Sequence, residues 1–142
     1  GKVLACDIQS TVTVFPPNVE FHQEDVFRRS EAFGRQLAET GPFHVVMSDM
    51  APQTTGTKFT DQARSLELCL EALAVAEKYL VKGGSFVVKI FMGPDVGELL
   101  KGMRPRFARV TSFKPQSSRV ESKETFFVGL GFKGKEADGA RD

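Results

Sequence analysis

The sequence has 142 residues, 41% hydrophobic and 26% charged, with a formal net charge of +1 at pH 7. That length accommodates one core without room for a second, and the composition is ordinary for a globular protein. No apolar run approaches the roughly 20 residues a bilayer requires, and the first residues lack a signal-peptide layout. Cys6 and Cys69 stand far apart in apolar stretches and His22 and His44 are isolated, so neither a disulfide framework nor a metal cluster is expected. A reducing cytoplasm is the expected compartment.

The pattern alternates short apolar runs with helical segments, which predicts an α/β fold with a largely parallel sheet. Residues 3–7 read as a strand ending in Asp7, and 19–21 as a short second strand. A mostly polar helix is expected over about 26–40, stopped by Gly41-Pro42. Residues 43–49 (FHVVMSD) read as a buried strand that again ends in an aspartate. Leu66, Cys69, Leu70, Leu73, Ala76 and Leu80 recur at helical steps and give the longest helix one apolar face. Thr60 is its expected N-cap, with Asp61 in the first turn, Lys78 and Lys82 near the end and Gly83-Gly84 as terminator. Residues 85–91 (SFVVKIF) form the next strand, followed by a helix over 96–103 and strands over 107–113 and 125–132. The tail from 134 to 142 is polar.

Charge is unevenly spread along this pattern. Between residues 101 and 124, Lys101, Arg104, Arg106, Arg109, Lys114, Arg119 and Lys123 face only Glu121 and Glu124, seven cations against two anions. Such a patch suits a polyanion, and a plain solvated face accounts for it equally well.

In open α/β sheets, ligands bind beyond the carboxyl ends of the strands. Asp7, Asp25 and Asp49 fall in or near that zone. Any one of them could be a turn or cap residue, but three acids after three successive strands suggest a site. Asp7 is placed where such folds grip the ribose hydroxyls of an adenosine cofactor. Lys89 stands among Phe86, Val87, Val88, Ile90 and Phe91, where an ammonium group is costly to bury. It either snorkels to water at the strand end or sits near carboxylates in a semi-enclosed site and handles a proton. Pro52 confines Ala51 to extended geometry, so the chain leaves the strand tip stiffly with Asp49 free to face the cleft. The polar loop 53–58 suits either a mobile cover or a plain connection.

The segments VVMSDMAP (45–52), FTDQARSLELCLEALAVA (59–76), GGSFVVKIF (83–91) and KPQSSRVESKETFFVGLGFK (114–133) resemble FtsJ/RrmJ ribosomal RNA methyltransferases. The resemblance covers nearly the whole chain and implies a Rossmann-like methyltransferase domain over 1–133, with helices on both sheet faces and an antiparallel last strand. It implies S-adenosylmethionine as methyl donor and 2'-O-methylation of a uridine in large-subunit ribosomal RNA, presented by the assembled subunit, by a monomeric enzyme. Of the family's Lys-Asp-Lys-Glu catalytic set, the aspartate falls on Asp49, the second lysine on Lys89 and the glutamate on Glu124. The cofactor acids fall on Asp7 for ribose and Asp25 near adenine, with Asp49 beside the bound cofactor. Lys114, Arg119 and Ser122 match a substrate RNA-binding loop. Phe126 departs from the family, which usually has tyrosine there.

With that set, Lys89 would orient or deprotonate the ribose hydroxyl while Asp49 and Glu124 hold it, and the cationic donor needs no metal. The family's first lysine, its glycine-rich cofactor loop and its first strand all lie upstream of the segment matching Gly1. A longer natural chain is therefore expected, and these residues alone should bind cofactor poorly and associate through open strand edges. Two other readings remain: a 2'-O-methyltransferase of transfer RNA or of an mRNA cap, and a non-catalytic RNA-binding or assembly module that keeps the fold.

Overall fold

The structure, a computed structural model, describes residues 1–50, 55–91, 93, 96–114 and 124–134. They belong to two compact units, Gly1–Pro42 and Phe43–Asp142.

The first unit is built on two parallel strands, β1 (Val3–Asp7) and β2 (Val19–Gln23), paired from Val3↔Val19 to Asp7↔Gln23. β2 runs two residues beyond the apolar triplet because the ladder with β1 takes in His22 and Gln23. The helix expected over 26–40 is two pieces. A single 3-10 turn, Val26–Arg28, is capped by Asp25, whose side chain accepts from the Phe27 amide. Helix α1 (Glu31–Thr40) starts afresh at Ser30, whose hydroxyl accepts from the Phe33 amide. Asp25 and Ser30 each satisfy orphan amides at a helix start, so the chain breaks between them.

The second unit holds a four-stranded sheet in the order β3-β4-β6-β5, formed by β3 (Phe43–Ser48), β4 (Leu80–Phe91), β5 (Phe107–Phe113) and β6 (Glu124–Phe132). β3 and β4 are parallel, while β6 lies between β4 and β5 and opposes both. Only the last strand reverses direction, as expected. Helices α2 (Lys58–Tyr79) and α3 (Val96–Met103) supply the other half of the core. Phe86, Val88 and Ile90 alternate along β4 and join Phe107 and Phe127 against Cys69, Leu73 and Ala76 of α2 and Leu99 and Met103 of α3. Period two on the strands and three-to-four on the helices puts these side chains on facing surfaces.

Three local expectations are corrected here. α2 begins at Lys58 with Thr57 at its N-cap, so Thr60 lies inside the helix. Asp61 does more than complement the helix dipole: it is buried, and its Oδ1 accepts from the Thr55 amide at 2.8 Å and the Thr55 hydroxyl at 2.9 Å. The backbone bond foremost, these contacts hold its carboxyl below the usual value. α2 also stops at Tyr79, ahead of Gly83-Gly84, because Leu80 already pairs with Phe43. The register then jumps to Val45↔Ser85, and Gly83 turns within the bulge at φ 87°, a conformation that costs glycine no steric clash. Finally, β3 is not buried on both faces. Val46 packs against the core, while Val45 and Met47 are 51% and 72% exposed.

The tightest point of the core is Gly129 on β6. A Cβ there would stand 2.7–2.9 Å from three ring atoms of Phe107. That ring is 5.6 Å from Phe132 and 6.2 Å from Phe86, centroid to centroid, and has nowhere to go. Gly129→Ala should therefore cost about 1–3 kcal/mol by overpacking. Urea unfolding is the check, and an unchanged midpoint would refute it.

Candidate active site at the strand ends

Lys89 lies on β4 facing away from the Phe86-Val88-Ile90 core, and the neighbouring strands decide what it meets. In the parallel pair, Ser48 stands beside Val88, so Asp49, the first residue past β3, arrives level with Lys89. In the antiparallel pair, Phe126 is opposite Lys89 and Glu124 opposite Phe91. Glu124 is thus the diagonal neighbour of Lys89 on the same face, within reach of a long side chain. Lys89 Nζ lies 2.6 Å from Asp49 Oδ1 and 2.8 Å from Glu124 Oε2, with its side chain 17% exposed. The amine does not snorkel away into water; it is clamped by two carboxylates.

Burial on its own pushes the Lys89 pKa down, but hydrogen bonds and charge from Asp49 and Glu124 outweigh that and raise it above the ordinary value. The group is an ammonium at neutral pH. Two of its three N–H donors are taken by the carboxylates, leaving one for a third partner.

α2 fixes the strand that carries this lysine. The Cys69 thiol donates to the Lys89 carbonyl at 3.1 Å, and the Phe91 amide donates to Ser65 Oγ at 3.0 Å. Burial pushes the Cys69 thiol up to about 12, so it stays an S–H donor. Asp61, Ser65 and Cys69 follow one another at steps of four and share one helix face. From the sequence Asp61 reads as a dipole residue and Cys69 as core, and Ser65 goes unmarked. Its available signal was small polar groups recurring on a face that must be buried.

The acids of the first unit gather at the carboxyl ends of β1 and β2. Asp7 Oδ1 accepts from the Gln9 amide at 3.0 Å, and Asp25 Oδ1 accepts from the Phe27 amide at 3.0 Å. Among the described residues neither second carboxylate oxygen has a partner. Glu24 is committed to the Ser30 amide and hydroxyl. Cys6 registers the cluster: burial first, then the charges of Asp7, Glu24 and Asp25 push its thiol up.

Of the basic stretch, Arg104, Arg109 and Lys114 are exposed. Lys101 pairs with Glu98, and Arg106 pairs with Glu77 and donates to the Gly102 carbonyl, so both have local structural partners. Arg119 and Ser122 lie outside the described residues, as do Ala51, Pro52 and residues 53–54 of the loop after Asp49. Among the described residues no group of three or more His, Cys, Asp or Glu could hold a metal ion, and no helix is long and apolar enough to cross a membrane.

The model of the FtsJ-like methyltransferase family matches residues 1–132. The chain belongs to that family. A relative from Nitratidesulfovibrio vulgaris, named ribosomal RNA large subunit methyltransferase E, is 71% identical over 142 residues, which is all of this chain and 69% of the relative. A second, from Lawsonia intracellularis and of the same name, is 65% identical over 133 residues, 94% of this chain and 66% of its own length. The chain thus spans about two thirds of the length of these relatives. Among solved structures, a ribosomal RNA methyltransferase of Plasmodium falciparum superposes with a TM-score of 0.80 at 24% identity, covering 94% of this chain and 74% of that one. At that identity the likeness establishes the fold, a Rossmann-like methyltransferase sheet with a reversed last strand. Asp7 and Asp25 stand past the carboxyl ends of β1 and β2 in the first unit, while in the second Asp49 follows the carboxyl end of β3 and Glu124 opens the antiparallel β6.

Proposed function

We propose that this chain transfers a methyl group from S-adenosylmethionine to the 2'-hydroxyl of a uridine ribose in large-subunit ribosomal RNA. The observation that carries the reading is Lys89 Nζ held at 2.6 Å and 2.8 Å by Asp49 and Glu124 on the sheet face opposite the Phe86-Val88-Ile90 core. The names of the relatives support RNA of the large subunit as the target.

Asp7 and Asp25 suit a nucleoside-bearing donor. Each keeps one carboxylate oxygen engaged by a local amide, which fixes its orientation, and presents the other as an acceptor for a hydroxyl or amino group. Asp7, at the tip of β1, would take the ribose diol, and Asp25 the adenine side. When bound, S-adenosylmethionine supplies a methyl carbon made electrophilic by its sulfonium.

The remaining work belongs to Lys89 and its carboxylates. Its third N–H donates to the ribose 2'-oxygen and holds that weak nucleophile in line. Lys89 first passes a proton to Asp49 Oδ1 along the 2.6 Å bond, and the lone pair this frees turns to the hydroxyl and takes its proton as the oxygen–methyl bond forms and the methyl–sulfur bond breaks. Lys89 is then an ammonium before and after, consistent with its raised pKa. Glu124 anchors the amine from the other side.

The test supplies labelled S-adenosylmethionine and large ribosomal subunits lacking the modification to the protein made from its own gene. Label at a ribose 2'-oxygen of the large-subunit RNA is the expected result. Label on a base, on other RNA only, or on none would overturn the reading.

A further inference from the structure

We propose that Phe113 and Phe126 form a stacking platform for an unpaired base of the RNA substrate, beside the Lys89 amine. The inference rests on the RNA-directed reading above and adds how the strand is held.

The platform follows from register. Phe126 is directly opposite Lys89 on one side and directly opposite Phe113 on the other. Residues facing each other across antiparallel strands point to the same side of the sheet. Lys89, Phe126 and Phe113 therefore form one row on the surface that also carries Glu124. Phe126 is half-buried within the row, and Phe113 at its outer end is 58% exposed. The Phe113 backbone is pinned, because its carbonyl accepts from the Thr125 hydroxyl at 3.0 Å.

The surroundings indicate the occupant. Arg109, two pairs back along β5 on the same side, is exposed. An exposed ring with an arginine on the same strand face, in one row with the amine proposed to handle a ribose hydroxyl, matches single-stranded RNA, whose bases stack and whose phosphates need positive charge. A duplex keeps its bases stacked on each other and gains little from such a surface.

The test measures binding without methyl donor, so a failure of the transferase reading and a failure of the platform are read separately. The probe is oligouridylate, free or annealed to oligoadenylate, with the protein made from its own gene. Phe113→Ala and Phe113→Leu should each weaken binding of the free strand about tenfold or more, in keeping with stacking on one ring, and change duplex binding little. Phe113→Trp should retain affinity, and since the 142 residues contain no tryptophan, its added indole fluorescence should be quenched by the free strand. Wild-type affinity in Phe113→Ala, or an indole unmoved by RNA, would overturn the platform. A loss of thermal stability or a change in assembly size with RNA binding intact would do the same, and would assign the ring to a protein contact.

Discussion

Replacing Lys89 with alanine is expected to abolish methyl transfer while leaving affinity for S-adenosylmethionine nearly intact. On the proposed mechanism the change removes the group that holds the ribose oxygen and relays its proton, a contribution of order 10²–10⁴ in rate for positioned acid–base chemistry. It also strips the shared cation from Asp49 and Glu124, both of which bond to the same nitrogen. Lys89→Arg keeps the charge but spreads the donors over a planar fork, so it should restore only a fraction of the rate. The pH dependence separates relay from free amine. Because the folded pKa of Lys89 is raised, the ammonium is present below the ordinary lysine value of about 10.4 and is lost only as pH rises through the raised value. The rate of the chemical step should therefore be level from neutral to mildly alkaline pH. A tenfold climb for each pH unit would mean that the neutral amine is the base, and full turnover by the alanine variant would remove Lys89 from the reaction altogether.

The second large effect concerns stability. Phe86 is fully buried, pairs with Val46 on one side and Gly129 on the other, and stacks on Phe107. Phe86→Ala should cost about 3–5 kcal/mol, from lost burial plus the cavity left in the rigid layer between sheet and helices. Against a typical total of about 5–15 kcal/mol, the melting temperature should fall by roughly 10–20 °C. Thermal unfolding followed by circular dichroism reads this directly. A fall of only a few degrees would show that neighbouring side chains collapse into the space.

Much of this was legible in the order of the residues because it depends on local period. The bounds of α3 and β5 follow from apolar spacing alone, and β6 differs by a single residue. Where partners far along the chain decide, local signals mislead. Gly83-Gly84 has the look of a helix stop, yet the ladder with β3 claims Leu80 first. Leu70 belongs to the apolar stripe of α2 by spacing, but it is 38% exposed while Ala72 is buried, since the sheet and α3 set which side faces inward. The run Val45-Val46-Met47 has no period of its own, and only pairing shows that alternate residues face outward. The site was legible in the same uneven way. An amine among apolar neighbours marked Lys89, but choosing between a snorkelling side chain and a clamped one required the register of three strands.

The position of β6 has a consequence for how the protein is made. It is the last described strand to leave the ribosome, yet it occupies the interior of the second unit's sheet, between β4 and β5. Until residues 124–132 emerge, β5 has no hydrogen-bonded neighbour among the described strands and Lys89 has one of its two carboxylates. Synthesis therefore delivers the sheet's keystone and the final member of the site in a single stroke. The nascent chain cannot complete the clamp on Lys89 before its architecture closes.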